Sequence, residues 1–271
     1  MNKIELSIII VTFNSEKYIK DCVDSIVKYC LDINYEIVIV DNNSIDNTVK
    51  IIKEGFKDIV LIESINNLGF AGGNNLGTKH CRGEYFLLLN HDTILLEKIS
   101  VILNIFNKNI DIGALGIKML NGDMNYECSA GNFPKPYQLL KLSLSSIKSK
   151  EFITGNFKEP YKIRAVDWVS GAFLLTKKEY WNQVGGLDEK YFMYVEDVDF
   201  CKKLSLIGKS TVFLPSVSYL HFVGFNNKRE VLLIKGYKIF SQKFFSKYGR
   251  KLANICLDIN YEYKKAFKNF Y

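Results

Sequence analysis

Asn90-His91-Asp92 follows directly on the apolar run Tyr85-Phe86-Leu87-Leu88-Leu89, and residue types in that order suit the binding of a hard cation. The apolar run reads as a strand buried on both faces, the kind found inside a parallel sheet. In open α/β sheets ligands bind beyond the carboxyl ends of the strands, so the three polar residues would project into that crevice. Asp92 there could hold a divalent cation, and with it a phosphate-bearing substrate. The competing reading is a strand-to-helix loop in which Asp92 or Thr93 caps a helix starting near Ile94. Two further strand ends carry similar groups, Thr12-Phe13-Asn14 and Asp41-Asn42-Asn43-Ser44. Asp41 could accept hydrogen bonds from a nucleobase imide or a ribose hydroxyl, with Thr12 and Asn14 in support. Each of these residues alone is equally a helix cap, but three such stations at successive strand ends share one crest of a sheet.

A second acidic station is Tyr194-Val195-Glu196-Asp197-Val198-Asp199-Phe200. Carboxylates at a helix start are favoured by the dipole, yet three within four residues exceed what capping needs. On a helix, residues 196 and 199 share a face while 197 points elsewhere. One carboxylate can then face a substrate as a general base while the others are held structurally. Upstream, Asp167-Trp168-Val169-Ser170-Gly171 puts on the feeding strand an aromatic able to stack on a sugar or to fill core. Downstream, His221 follows a strand and could complete a metal site or touch a pyrophosphate. The stretch Asn66–Gly77 is rich in Gly and Asn, but it is not a dinucleotide fingerprint. Those glycines belong at the first strand–helix turn, which here reads Thr12-Phe13-Asn14-Ser15. The stretch instead lets backbone approach a nucleotide closely, with a helix beginning near Ala71 or Gly73.

The elements that must position these groups alternate in the first half of the chain. Leu6–Val11, Glu36–Val40, Ile59–Ile62 and Tyr85–Leu89 read as strands. Helical spacing runs from Ser15 to Cys30, and a second helix, capped by Ser44 or Asp46, runs through Ile52. Such βαβα order argues for a doubly wound parallel sheet. In the second half, Leu95–Phe106 reads as a helix, Ile112–Leu120 as a strand, and residues 121–165 as an irregular insertion with Pro134, Pro136 and Pro160. Residues 166–176 read as one strand, Tyr180–Val184 as a helical turn, Glu196–Ile207 as a helix, and Thr211–Leu220 as one or two strands. The remainder is helical.

The composition suits a globular chain: of 271 residues, 48% are hydrophobic and 24% charged. No apolar run reaches the roughly 18 residues of a bilayer span. The start, Met1–Glu5, leads straight into a strand without signal-peptide architecture, and six scattered cysteines lack CxxC pairing. Together these set the expectation of reduced thiols in a cytoplasmic protein. Residues 228–271 hold 11 Lys/Arg against 3 Asp/Glu, and residues 1–227 hold 25 against 26, so the net +7 resides in the tail. A near-neutral body argues against a nucleic-acid-binding footprint. The tail interleaves its basic residues with Tyr237, Phe240, Phe244, Phe245, Tyr248, Tyr261, Tyr263, Phe267, Phe270 and Tyr271. That composition fits helices packing on the body, and equally a peripheral contact with an anionic membrane leaflet.

The stretches Ser7–Ser15, Val40–Thr48, Asn66–Gly77, Leu87–Thr93, Val166–Phe173, Gly185–Lys203 and His221–Phe225, in this order, resemble the family-2 inverting glycosyltransferases, particularly their rhamnosyltransferase-like branch. The resemblance covers roughly residues 5–225. It implies a GT-A fold: a Rossmann-like doubly wound mixed sheet over residues 1–227, with a helical C-terminal extension over 228–271. It implies a dTDP- or UDP-linked sugar donor, a Mg²⁺ or Mn²⁺ cofactor, and a glycan or lipid-linked acceptor in bacterial surface polysaccharide synthesis. By position, Thr12, Asn14, Asp41, Asn67, Gly69, Asn74 and Asn90 match donor-binding residues. Asn90-His91-Asp92 matches an Asp-x-Asp metal motif whose first aspartate is replaced by Asn90, which leaves Asp92 as the surer ligand and Asn90 to support a ribose or the metal. His221 is a further candidate ligand, and Trp168 and Gly171 are candidates for acceptor or sugar contact. Glu196-Asp197 matches the acidic pair that supplies the base, with Asp197 preferred and Glu196 the alternative. Two other readings are a non-catalytic sugar-nucleotide-binding module, against which intact Asp92 and Asp197 argue, and a sugar nucleotidyltransferase. The latter would carry a basic, Gly-rich loop after the first strand, and none is present.

Overall fold

Three βα units open the chain: β1 (Leu6–Thr12), α1 (Ile19–Tyr29), β2 (Tyr35–Asp41), α2 (Thr48–Gly55), β3 (Ile59–Glu63) and α3 (Gly69–Thr78), leading into β4 (Tyr85–Asn90). The computed structural model describes residues 3–141, 146–222 and 229–268. Val223–Phe225, Phe270, Tyr271 and the expected boundary at residue 227 lie outside the described residues. The second half comprises β5 (Thr93–Leu95), α4 (Ser100–Lys108), β6 (Ile112–Leu120), β7 (Tyr126–Glu127), β8 (Ala130–Gly131), a 3-10 turn at Pro136–Leu140 and α5 (Lys150–Thr154). It continues through β9 (Arg164–Val166), β10 (Trp168–Val169), β11 (Phe173–Lys177), α6 (Lys178–Val184), α7 (Glu196–Leu206), β12 (Ser210–His221), α8 (Arg229–Phe244) and α9 (Lys247–Lys268).

The main sheet runs β3-β2-β1-β4-β11-β6-β12-β5, with β7 on β6 and β9 on β12. The first four strands are parallel, as the alternation predicts. The sheet as a whole is mixed, because β11 runs antiparallel to both β4 and β6. Ile8, Ile9 and Ile10 are fully buried, and so are Leu87 and Leu88 beside them. An unbroken apolar run is what a strand covered on both faces requires, and each such side chain contributes about 1.5–3 kcal/mol by leaving water. α1 covers one face through Ile19, Cys22, Val23 and Ile26, spaced as a helical stripe. α3 approaches the sheet more closely still. A β-carbon at Gly77 would come within 2.7 Å of Ile9 Cγ2, and one at Gly73 within 2.7 Å of Val11 Cγ1. These two glycines therefore serve helix–sheet packing, and the helix begins at Gly69 rather than at Ala71 or Gly73.

The inner strands also hold a buried carboxylate. Glu36 accepts from the Ser7 hydroxyl (2.6 Å), from the backbone N–H of Arg82 (2.5 Å) and from Arg82 Nε (2.8 Å). These contacts outweigh its burial and hold its carboxyl below the ordinary value.

Several local expectations are corrected. Residues 93–95 form a strand rather than a helix start, because their backbone pairs with Tyr219–His221 of β12; the helix waits until Ser100. This removes the capping role for Asp92 and Thr93. Ser44 bonds to Asp41 instead of capping α2, whereas Asp46 does accept from Thr48 N (3.0 Å) at the helix start. Residues 166–176 split among β9, β10 and β11, which pair with different partners. The 121–165 insertion contains short strands, and β8 with β10 makes a separate two-stranded sheet.

α8 and α9 are joined to the body by a second core. Ile234, Tyr237 and Phe240 of α8, with Ala253, Cys256 and Leu257 of α9, pack against Leu139, Tyr191, Val195 and Val198. Among the described residues, no helix is long and apolar enough to cross a membrane.

Candidate active site

Sheet register brings the sequence stations together. Thr12 pairs with Asp41 and Val11 with Asn90, so β1, β2 and β4 end at one level. β12 runs parallel to β6, and its last residue, His221, pairs with Thr93 just past Asp92. β11 runs the other way and therefore starts at this crest: Phe173 pairs with Leu89, and Asn90 N–H donates to Ala172 C=O (3.1 Å). The strand ends border a cleft of about 710 Å³ lined by Thr12, Phe13, Asn67, Gly69, Asn90, Asp92, Trp168, Gly171, Glu196, Asp197 and His221 among others. A smaller depression of about 350 Å³, around Lys118, Phe157 and Pro215, shares none of these residues.

In this cleft His221 Nε2 lies 3.2 Å from Asp92 Oδ1 and 3.1 Å from Asn90 Nδ2. Asp92 Oδ1 is buried and gains no hydrogen bond from this approach. Burial pushes the Asp92 carboxyl up, but the His221 and His91 imidazoles pull it down further, so it lies below its ordinary value and is ionised. An ionised carboxylate oxygen without a donor, beside an imidazole nitrogen and an amide, is a donor set that accepts Mg²⁺ or Mn²⁺. Among the described residues no group of three or more His, Cys, Asp or Glu is placed to hold a metal ion by itself. Asp92 and His221 thus fit part of a coordination shell, the rest falling to substrate and solvent.

The acidic pair lines the same cleft. Asp197 is partly exposed to the cleft; its Oδ2 accepts from Gly171 N–H (2.9 Å) and its Oδ1 from Val198 N–H (2.8 Å). Burial pushes its carboxyl up, and those N–H groups only partly offset this. Glu196 is 5% exposed, with Oε2 buried and without a partner. Burial, then the charges of Asp197 and Asp199, push Glu196 well above the ordinary carboxylate range. The backbone leading to the pair is unusual. Tyr194 and Val195 have φ of +71° and +75°, a region that costs a non-glycine residue about 1–3 kcal/mol and persists only where the surroundings impose it.

Not every expected donor contact lines the cleft. Asp41 is 2% exposed and is occupied by Thr12 Oγ1 (3.0 Å) and by Ser44. Asn14 turns toward Ile45 N–H (2.9 Å), and Asn74 is buried with its amide on Phe70 C=O (2.9 Å). Thr12, Asn67, Gly69 and Asn90 do face the cleft, and Asp41 braces Thr12 among them. Trp168 lines the cleft with its indole N–H held by Asn132 C=O (3.1 Å). Sequence reasoning passed over Phe13, Asn42, Tyr194, Arg229, Leu233 and Tyr237, all of which line the cleft. Phe13 carried a signal, since an aromatic just past a strand end is seldom core; it is 46% exposed. Arg229, Leu233 and Tyr237 come from α8, and nothing in their local sequence points inward.

Residues 7–164, more than half of the chain, match the family described as Glycosyl transferase family 2. The chain is 25% identical over 230 residues to a protein named Rhamnosyltransferase WbbL from Escherichia coli, covering 82% of this chain and 84% of that one. It is 26% identical over 213 residues to the N-acetylglucosaminyl-diphospho-decaprenol L-rhamnosyltransferase of Mycobacterium tuberculosis, covering 72% and 68% respectively. Among solved structures, GalNAc-T7 with UDP, GalNAc and Mn²⁺ superposes with a TM-score of 0.70 at 14% identity, over 91% of this chain and 49% of that one. At such identity the likeness concerns the fold, which is GT-A.

Proposed function

The chain belongs to glycosyl transferase family 2, and from that premise we propose that it moves a sugar from a dTDP- or UDP-linked donor to a hydroxyl of a glycan or lipid-linked acceptor, with inversion, in bacterial surface polysaccharide synthesis. The observation that carries this reading is the convergence of Asn90, Asp92 and His221 with Glu196 and Asp197 on one cleft, although Asn90 and Asp92 lie about a hundred residues before the acidic pair. The names of the two rhamnosyltransferase relatives favour a deoxyhexose donor, and the second of them favours a lipid diphosphate acceptor.

Thr12, Phe13, Asn67 and Gly69 form the donor end of the cleft, where the exposed Phe13 ring offers a stacking surface to a base. Asp92 and His221 would hold a divalent cation, supported by Asn90. When bound, a cation neutralises charge that develops on the departing diphosphate. The cleft needs such help, because its described lining carries Asp92, Glu127, Glu196 and Asp197 against a single Arg229. Asp197 serves as general base. Its pKa is raised toward the working range, and its carboxylate reaches the cleft. Glu196 is the weaker choice: it is buried, and burial with the neighbouring Asp197 and Asp199 charges pushes its carboxyl well above the ordinary range, which disfavours the ionised form a base requires. As Asp197 accepts the acceptor hydroxyl's proton, the Gly171 and Val198 N–H groups keep the carboxylate aimed. Trp168 supplies an apolar face for the acceptor sugar.

The α9 surface fits approach to a lipid-borne acceptor. Tyr248, Leu252, Ile255, Ile259 and Tyr263 recur at helical spacing on its exposed side, 83, 45, 49, 53 and 62% exposed, among Lys247, Lys251 and Lys265. An apolar stripe with basic flanks is the pattern of a helix lying in an anionic interface. The deciding experiment screens dTDP-, UDP- and GDP-sugars for thermal stabilisation with Mg²⁺ or Mn²⁺, followed by release of nucleoside diphosphate. Stabilisation by a nucleotide sugar, dependent on the cation, is expected. Binding without turnover across acceptors would instead indicate a non-catalytic binding module.

A further inference from the structure

The segment that carries the base is gripped at both ends by one side chain of α8. Lys243 Nζ lies 2.9 Å from Asp188 Oδ2, ahead of the acidic pair, and also pairs with Asp199 Oδ1, behind it. Asp199 is fully buried; it accepts from the Tyr191 hydroxyl (3.0 Å), and Lys203 Nζ stands 3.8 Å from its other oxygen. Two helical turns before Lys243, and hence on the same face of α8, stands Gly236. A β-carbon there would lie 2.8 Å from Tyr194 C=O and 2.8 Å from Val195 Cγ2. The backbone it presses on is the left-handed Tyr194–Val195 pair. Such a conformation in a β-branched residue has to be imposed from outside, and α8 is the element in contact. Were the segment to relax, the start of α7 would turn and Asp197 would lose its aim on Gly171 N–H.

We propose that α8 is the positioning element of the catalytic base, with Lys243 and Gly236 as positioning residues that act through Asp199 and through the Tyr194–Val195 backbone. This rests on the assignment of Asp197 as the base and adds to it the part of the molecule that sets its place. The tail is thereby tied to catalysis by geometry, separately from any membrane contact.

The test uses the full chain and three variants. Lys243→Met removes the grip, Lys243→Arg restores it, and Gly236→Ala inserts a methyl against the strained backbone while leaving every charge in place. With the nucleotide sugar that the wild type consumes, Lys243→Met and Gly236→Ala are expected to lower kcat on the order of tenfold to a hundredfold, the scale of a small misplacement. Their affinity for UDP and dTDP is expected to fall much less than kcat: Phe70 N–H does donate to Phe192 C=O (2.8 Å) in the segment, but Thr12 and Phe13 stand at the end of β1. Lys243→Arg is expected to recover most of the rate. Hydrogen exchange should quicken across residues 191–199 in Lys243→Met and stay unchanged across residues 6–41. The proposal is overturned by an unchanged kcat in a folded variant, by rate and nucleotide affinity falling in parallel, or by wild-type exchange protection across 191–199. Should Lys243→Met fail to fold, Gly236→Ala carries the same arms. A wild type that consumes no nucleotide sugar counts against the transfer reading alone, since the exchange arm needs no substrate.

Discussion

Replacing Asp197 by Asn removes the base while changing little else. The carboxylate accepts two backbone N–H groups, from Gly171 at 2.9 Å and Val198 at 2.8 Å. An amide has one carbonyl oxygen, so one of those donors must face an NH₂ group, and leaving a buried donor unpaired costs about 1–3 kcal/mol. Acting the other way, burial already disfavours the ionised carboxyl in the fold, and a neutral amide relieves that. The two effects partly cancel, so the variant should stay folded and keep its nucleotide affinity. Turnover should not survive. Base catalysis is worth roughly 10²–10⁴ in rate, which is about 2.7–5.4 kcal/mol of barrier at 1.36 kcal/mol per tenfold. The assay is release of nucleoside diphosphate at saturating donor, set beside UDP and dTDP titrations by calorimetry. The wild-type rate should rise with pH through a carboxylate pKa above its ordinary 3.8, and the variant should lose that rise. A turnover within tenfold of wild type, in a variant that still binds nucleotide, would refute Asp197 as the base.

Asp92→Asn should abolish the cation's stabilising effect on the nucleotide complex while leaving the unliganded melting temperature close to wild type; a retained Mn²⁺ effect would remove Asp92 from the cation site. Glu196→Gln should stabilise the protein. The folded pKa of Glu196 lies above its ordinary 4.5, so the advantage of the protonated form is complete below that pH and is lost as pH rises toward the folded value. The margin of the variant over wild type in thermal melts should therefore widen from about pH 4.5 upward, and a margin that shrinks would contradict this. Glu36→Gln has the opposite sign, because the folded pKa of Glu36 lies below 4.5. Its deficit of about 1.5–3 kcal/mol should be full at neutral pH and close as pH falls below 4.5 toward the folded value, as denaturant melts across pH would read. Reversing Lys247 and Lys251 to Glu should weaken sedimentation with anionic vesicles by more than about tenfold, at about 1 kcal/mol per basic residue. Unchanged sedimentation would leave the α9 stripe without a membrane role.

Much of this site was legible because parallel strands advertise themselves. Ile8–Val11 and Phe86–Leu89 are apolar at every position, which a strand covered on both faces demands, and their polar ends then mark the crest without further information. The acidic pair was legible for another reason: carboxylates exceeded what a helix start needs. What escaped was non-local. Thr93–Leu95 has no strand signature of its own and becomes a strand only by pairing with Tyr219–His221. The glycines of Asn66–Gly77 suggested a close backbone approach to a nucleotide, whereas Gly73 and Gly77 serve helix–sheet packing; a glycine required by close packing and one required by a ligand are the same letter. Asp41 has the chemistry of a nucleotide contact, but Thr12 and Ser44 already occupy it. Arg229, Leu233 and Tyr237 reach the cleft only because α8 folds back over α7, and the tail's composition spoke of charge rather than of where the helix would lie.

The separation between Asn90 and Asp197, the proposed leaving-group and base positions, is set by two neighbouring backbone groups. Asn90 N–H donates to Ala172 C=O (3.1 Å), and the adjacent Gly171 N–H donates to Asp197 (2.9 Å). The antiparallel entry of β11 makes this possible: Gly171 and Ala172, just ahead of the strand, pass the end of β4, and Gly171 N–H points at α7. Asn90 and Asp197 are thus linked through two hydrogen bonds and the short stretch of chain between Gly171 and Ala172. Flexible loop does not intervene. A rigid link suits direct displacement, in which attack on one face of a sugar carbon and departure from the other are in line and tolerate little misplacement. It also explains why the second core lies where it does. Gly171 fixes the carboxylate end of Asp197, but the helix that bears Asp197 begins on left-handed backbone, and only packing from the far side can hold it there. α8 supplies that packing through Gly236 and Lys243, so the strand crest and the C-terminal helices meet on the same carboxylate from opposite sides.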